Sequence, residues 1–263
     1  MAMTSPDTKL KPKHIGIIGG MGPFATQRFI RHILEHARDA YGARDDVDYP
    51  QMSIESVALP TLTAHGLENA ESYLPLLTGL LVRLTESGSQ VVAIPCNTIH
   101  TLFSKLQESN GIPVLNIVEE TAQAVQNKKH TRVYVLATNS TITEKLYHEA
   151  FQIHGITVIE PSTEAQQDIE SLIALLERGL VSPEALSIYE SILAEAGALD
   201  ADAIIFGCTE LSYLYTEISG TLPVFDSSRI LAERLVDVAF SAYQPDATKL
   251  PGAAMRAETS ASQ

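Results

Sequence analysis

Short apolar runs alternate along this chain with longer segments whose apolar residues recur every three or four positions. "HIGIIGG" (14–20) predicts a buried strand ending in a glycine turn, and "PFATQRFIRHILEHA" (23–37) a helix with Pro23 in its first turn. "MSIESVAL" (52–59) predicts a strand, "NAESYLPLLTGLLVRLTESG" (69–88) a helix, "QVVAIPC" (90–96) a strand, "TIHTLFSKLQES" (98–109) a helix and "GIPVLNI" (111–117) a further strand. After a helix near 118–127 the pattern restarts. Strand "TRVYVLAT" (131–138), helix "TITEKLYHEAFQIHG" (141–155) and strand "ITVIEP" (156–161) precede helices at about 163–179 and 183–197. Strand "DAIIFGC" (202–208), the run "LPVFDSS" (222–228) and a helix at about 227–243 complete the pattern. Continuous apolar strands between amphipathic helices imply a parallel sheet covered on both faces.

The restart is a repeat. Ile94-Pro95-Cys96-Asn97-Thr98 is echoed by Phe206-Gly207-Cys208-Thr209-Glu210, and each is followed by a Pro-Val strand, Pro113-Val114 and Pro223-Val224. The predicted fold class is α/β with two pseudo-symmetric domains, each a parallel sheet flanked by helices. Residues 14–118 plus 222–245 form the first, with Cys96, and 119–221 the second, with Cys208; 1–13 and 246–263 read as frayed, aperiodic tails. Ligands of open α/β sheets bind beyond the carboxyl ends of the strands. Two such edges facing each other place the site in an interdomain cleft, with a thiol on either side.

The net charge of −14 argues against sequence-independent binding to nucleic acid or to an anionic membrane. No apolar run approaches the ~20 residues of a membrane span, and the first residues hold no apolar signal core. A cytoplasmic chain with reduced thiols is the expectation. A lone cysteine in a strand is usually a small buried hydrophobe. Two in matching positions of a duplicated fold, each followed by polar Asn-Thr or Thr-Glu, are poorly explained by packing.

A thiol just before a helix start sits in a positive field, which is expected to lower its pKa. One thiolate and one thiol on opposite faces of a bound carbon acid form a base and an acid, and the outcome is inversion of a stereocentre. Asn97, Thr98 and Thr209 supply donors beside the thiols, and helix-start N–H groups bind a carboxylate. The turn Gly19-Gly20-Met21-Gly22-Pro23 reaches the same edge, where its glycines permit close approach.

"GIIGGMGPFAT" (16–26), "PCNTIH" (95–100) and "GCTEL" (207–211) resemble the PLP-independent aspartate/glutamate racemase family, over most of residues 14–243 and in the same order. The "GGMGP" turn is similar to the aspartate racemase branch. The resemblance implies amino-acid racemisation in the cleft between two α/β domains, without cofactor or metal, in a homodimer whose only other partner is a small amino acid. It implies Cys96 and Cys208 as the acid/base pair, with Met21, Asn97, Thr98, Thr209, Thr138 and Thr141 contacting substrate; Thr61 and Glu210 complete the expected set. Aspartate-specific members carry an arginine where this chain has Leu62, and a lysine where it has Glu177. A substrate carboxylate buried without those cations costs several kcal/mol, so broad or non-aspartate specificity is expected. The alternatives are a maleate isomerase-like or malonate decarboxylase-like enzyme on the same scaffold, or a non-catalytic amino-acid-binding module.

Other patterns carry less. Gly20-Met21-Gly22-Pro23-Phe24-Ala25 matches a loose dinucleotide fingerprint, but Pro23 removes an amide and no acidic residue ends the second strand at the required distance. His32 and His36, spaced as in one metalloprotease motif with Glu35 between them, read as a solvated helix face. His100 either tunes Cys96 or packs its helix. Glu119 and Glu120 suit a helix start. Asp226 either holds the C-terminal segment or touches ligand.

Overall fold

The computed structural model describes residues 11–59, 62–63, 66–67, 69–216 and 222–241. Strand β1 (Ile15–Gly19) leads into helix α1 (Pro23–Tyr41), then β2 (Met52–Ser56), the short hairpin β3 (Leu62–Thr63) and β4 (Gly66–Leu67), and helix α2 (Leu74–Glu86). Strand β5 (Val91–Ala93) is followed by helices α3 (Phe103–Glu108) and α4 (Ile117–Asn127). The second half runs β6 (Arg132–Leu136), α5 (Asn139–Thr143), α6 (His148–Ile153), β7 (Thr157–Ile159), α7 (Thr163–Leu176), α8 (Pro183–Ala198) and β8 (Ala203–Phe206). Strand β9 (Val224–Asp226) and helix α9 (Ser227–Phe240) follow.

The strands make two parallel sheets, ordered β2-β1-β5 and β7-β6-β8-β9, with the antiparallel β3-β4 hairpin apart. The repeat read from the sequence extends to hydrogen bonds. Val92 N–H donates to the Pro113 carbonyl at 2.8 Å, and Ile204 N–H to the Pro223 carbonyl at 2.9 Å. In the first half, however, the expected strand 111–117 shrinks to an isolated bridge between Val92 and Val114. It is cut short because Asn116 leaves the sheet to cap α4, accepting from the N–H groups of Val118 and Glu119.

Two predicted helices also break. The segment 98–109 becomes a 3-10 turn (Thr98–Leu102) before α3, and 141–155 divides into α5 and α6 around Lys145, whose φ is +51°. Three further helices begin at side-chain caps. Ser162 accepts from Ala165 N–H at α7, Ser182 from Ala185 N–H at α8, and Asp226 from Ser228 and Arg229 N–H at α9. Each cap stabilises by about 1 kcal/mol.

The core explains how the halves are held. One cluster takes Ile15, Ile17 and Val91 from the first sheet and Val133, Val135 and Ile205 from the second, with Ile117, Val125, Leu231 and Leu235 of α4 and α9 among them. A separate cluster covers the outer face of each sheet. Residues 222–241 divide between the halves: β9 pairs with β8, while α9 packs on α1, α4 and β5. No helix among the described residues is long and apolar enough to cross a membrane.

Candidate active site

Both cysteines stand just beyond the carboxyl ends of corresponding strands, Cys96 after β5 and Cys208 after β8. They line one cavity of about 560 Å³, whose walls come from both halves of the chain. Met21, Asn97, Thr98, Thr138, Thr209 and Glu210 of the expected set line it too. Thr141 does not. It lies behind the wall, its hydroxyl 3.0 Å from that of Thr138 and 3.5 Å from that of Thr98. Thr61 and the Leu62 side chain lie outside the described residues.

The glycine turn reaches the cavity as its sequence requires. Gly20 has φ +91°, and a Cβ there would stand 2.3 Å from the Val57 carbonyl oxygen. Thr26 pins the turn: its hydroxyl accepts from Gly20 N–H and donates to the Gly22 carbonyl, both at 2.8 Å. Gly22 N–H then donates across to Glu210 Oε1 at 3.2 Å, tying the first half to the second.

The surroundings of the two thiols differ. The Cys208 thiol donates to Glu210 Oε2 at 3.0 Å, and the Thr209 hydroxyl to the same oxygen at 3.2 Å. Burial pushes Cys208 well above its ordinary range, and the Glu210 carboxylate pushes it further. Cys96 is pushed up to about 12, by burial first and by the Glu210 charge as well, against the pull of the Ile99 and Thr98 N–H groups. This reverses the depression expected from sequence. The residues after each cysteine form 3-10 turns, and the loss of hydration outweighs their few amide donors.

Asn97 is fixed rather than free. Its amide donates to Ser227 Oγ at 3.0 Å, and its oxygen accepts from Tyr147 OH at 2.6 Å, so β9–α9 and α6 both hold the strand end in place. Nothing in the sequence linked Tyr147 or Ser227 to the site, since their contacts span 50 and 130 residues. Ile173 and Ala58, also on the cavity wall, were unremarkable apolar positions in the sequence. Glu177 lines the cavity as well.

The other candidates fall away from it. His100 Nδ1 lies 2.9 Å from the Cys96 carbonyl oxygen and Nε2 3.4 Å from that of Leu115, so it packs the backbone rather than touching the thiol. Asp226 holds the C-terminal segment: its Oδ1 caps α9 and accepts from Ser212 Oγ at 2.8 Å. His32 is buried, not solvated, and its pKa is pulled down to about 4 by that burial and by nearby Arg28 and Arg229. His36 pairs with Asp237 at 2.9 Å. Among the described residues no group of three potential ligands could hold a metal ion.

The Asp/Glu/Hydantoin racemase family model matches residues 18–235, which span both cysteine motifs and the glycine turn. The chain belongs to this family. It is 32% identical over 230 residues to the broad specificity amino-acid racemase RacX of Bacillus subtilis (strain 168), covering 88% of this chain and 99% of that one. An aspartate racemase homologue from Pyrococcus horikoshii OT3 superimposes with a TM-score of 0.72 at 25% identity, over 86% of this chain and 99% of that one. The Picrophilus torridus aspartate racemase shares the fold with a TM-score of 0.74 at 24% identity, over 90% and 97% of the two chains. The chain is accordingly an isomerase, a racemase on the family's two-sheet α/β scaffold.

Proposed function

We propose that this racemase inverts the α-carbon of amino acids with Cys96 and Cys208 as its acid/base pair, without a cofactor, and that its specificity is broad or non-aspartate. The observation that carries the reading is the lining of a single cavity by two thiols at matching strand ends. One thiolate breaks the α-C–H bond and takes the proton. The electron pair left on carbon spreads into the substrate's carboxylate, and the opposite thiol gives its proton to the other face. The product has the opposite configuration, and the two sulfurs have exchanged protonation states.

The raised thiol pKa values fit this scheme. The cavity carries buried thiols and the Glu210 carboxylate, and a substrate's α-ammonium brings the positive charge that favours a thiolate. Glu210, already accepting the Cys208 proton in a hydrogen bond, is placed to hold that proton when Cys208 acts as base. Thr98 and Thr138, with the amides that open the two turns, supply donors for the α-carboxylate. Broad specificity is supported by the likeness to RacX, a broad specificity racemase, over nearly the whole length of both chains.

The test is a panel of single L- and D-amino acids in D2O with pure protein and no added PLP. NMR follows loss of the α-proton, and chiral chromatography the enantiomer ratio. Exchange with inversion that disappears in both Cys96→Ser and Cys208→Ser supports the reading. Exchange on no amino acid overturns it and directs the next panel to dicarboxylic acids.

A further inference from the structure

We infer that Glu177 makes this cavity selective for amino acids with a cationic side chain, such as lysine, ornithine or arginine; the inference rests on the racemisation reading above. Among the described residues the ionisable groups of the cavity wall are Cys96, Cys208, Glu177 and Glu210, and no lysine, arginine or histidine lines it. Among the described residues, the cavity wall therefore offers a substrate side chain negative charge and no cation.

The two carboxylates are differently engaged. Glu210 is committed to Cys208, Thr209 and Gly22. Glu177 has no hydrogen-bond or ion-pair partner for its carboxylate among the described residues. It stands at the C-cap of α7, where the helix dipole already disfavours negative charge. Glu177 is exposed at the mouth of the cavity, and partial burial and the charge of Glu210 both raise its pKa.

Its position is nevertheless built. Gly179, two residues on, has φ +69°, and a Cβ there would lie 2.9 Å from the Phe24 ring and 3.1 Å from Tyr213 OH. The loop is thus seated closely against the start of α1. Ile173, one turn earlier on α7, lines the cavity with Met21 and Leu59, and all three are buried. An apolar wall beside an unpaired carboxylate suits a methylene stem with a charged tip. A side-chain carboxylate would instead meet Glu177 with no cation to pair it, a repulsion that rejects aspartate and glutamate.

The experiment compares lysine with its uncharged isostere norleucine, and both with aspartate and glutamate, on wild-type protein, Glu177→Gln and Glu177→Lys. Deuterium exchange and racemisation give kcat/KM, and calorimetry gives binding. The expected wild-type preference for lysine over norleucine is about ten-fold or more, the scale of one partly exposed charge pair with its hydrogen bond. That ratio collapses in Glu177→Gln, and Glu177→Lys shifts the preference toward the acidic amino acids. A lysine-to-norleucine ratio near one in the wild type, or an unchanged ratio in Glu177→Gln, overturns the inference. If nothing is turned over but calorimetry still favours lysine in a Glu177-dependent way, the charge selectivity stands and the racemisation reading falls.

Discussion

After Cys96 the chain continues Asn97-Thr98; after Cys208 it continues Thr209-Glu210. The backbones around them correspond, in strand order, in the bonds to Pro113 and Pro223, and in the 3-10 turns that follow. Their charge environments do not. Cys208 hydrogen-bonds the Glu210 carboxylate at 3.0 Å, whereas Cys96 takes backbone amides from Ile99 and Thr98 and feels the Glu210 charge without a hydrogen bond to it among the described residues. A duplicated scaffold thus holds two thiols in equivalent places while giving one of them its own proton acceptor. Racemisation does not require the sulfurs to be equivalent. It requires only that each reach its protonated and its ionised state within the cycle.

The largest expected effect comes from removing either thiol. Cys96→Ser and Cys208→Ser each lower racemisation by about 10²–10⁴-fold, the usual contribution of a positioned acid or base. Chiral chromatography reads the loss, while deuterium wash-in run separately from the L and D enantiomers shows which sulfur serves which. Equal residual exchange from both enantiomers in both variants would break the assignment of opposite faces.

Next is Glu210→Gln, which makes the second strand end resemble the first. Because both thiols are raised, thiolate gains population as pH climbs, and the rate rises with pH. Deleting the Glu210 charge removes a cause of the Cys208 elevation, so the alkaline limb moves to lower pH. The plateau rate falls by about ten-fold through loss of the proton acceptor. A pH profile of kcat/KM measured in each direction checks both changes, and an unmoved limb would show that the carboxylate does not govern Cys208.

Gly20→Ala attacks another asymmetry, since the first half closes on the cavity with a glycine turn where the second has Thr138 after β6. The new Cβ would press on the Val57 backbone at a φ of +91°, at an expected cost of about 1–3 kcal/mol, read as a lower midpoint in urea. The smallest change is Tyr147→Phe. It removes the 2.6 Å bond that fixes Asn97 on the Cys96 side alone, for about 1 kcal/mol of stability and a modest rise in KM.

Much of this was legible in the sequence because it was periodic or local. Buried strands such as Ile15–Gly19 and Ala203–Phe206 read as continuous apolar runs, and the two cysteine motifs announced the repeat. What escaped was set by contacts distant in the chain. The reversed thiol pKa values depend on how deeply the fold buries residues 96 and 208, which no motif states. His32 sits among charges in the sequence, yet the fold covers it. The break at Lys145 is a single left-handed residue inside a run with helical spacing. Glu177 was visible as a departure from the aspartate-specific pattern; that it lines the same cavity as both thiols required the structure.

The route of the last described segment bears on how the molecule is made. Strand β9 joins the second sheet, and α9 then returns to cover the inner face of the first, packing Leu231, Leu235 and Val236 into the cluster that holds Ile15 and Ile17. On a ribosome, β1 therefore waits for residues more than two hundred positions later before its core closes. The first half is therefore expected to complete its core only once α9 is made, and nascent chains arrested before α9 to expose apolar surface that invites chaperones.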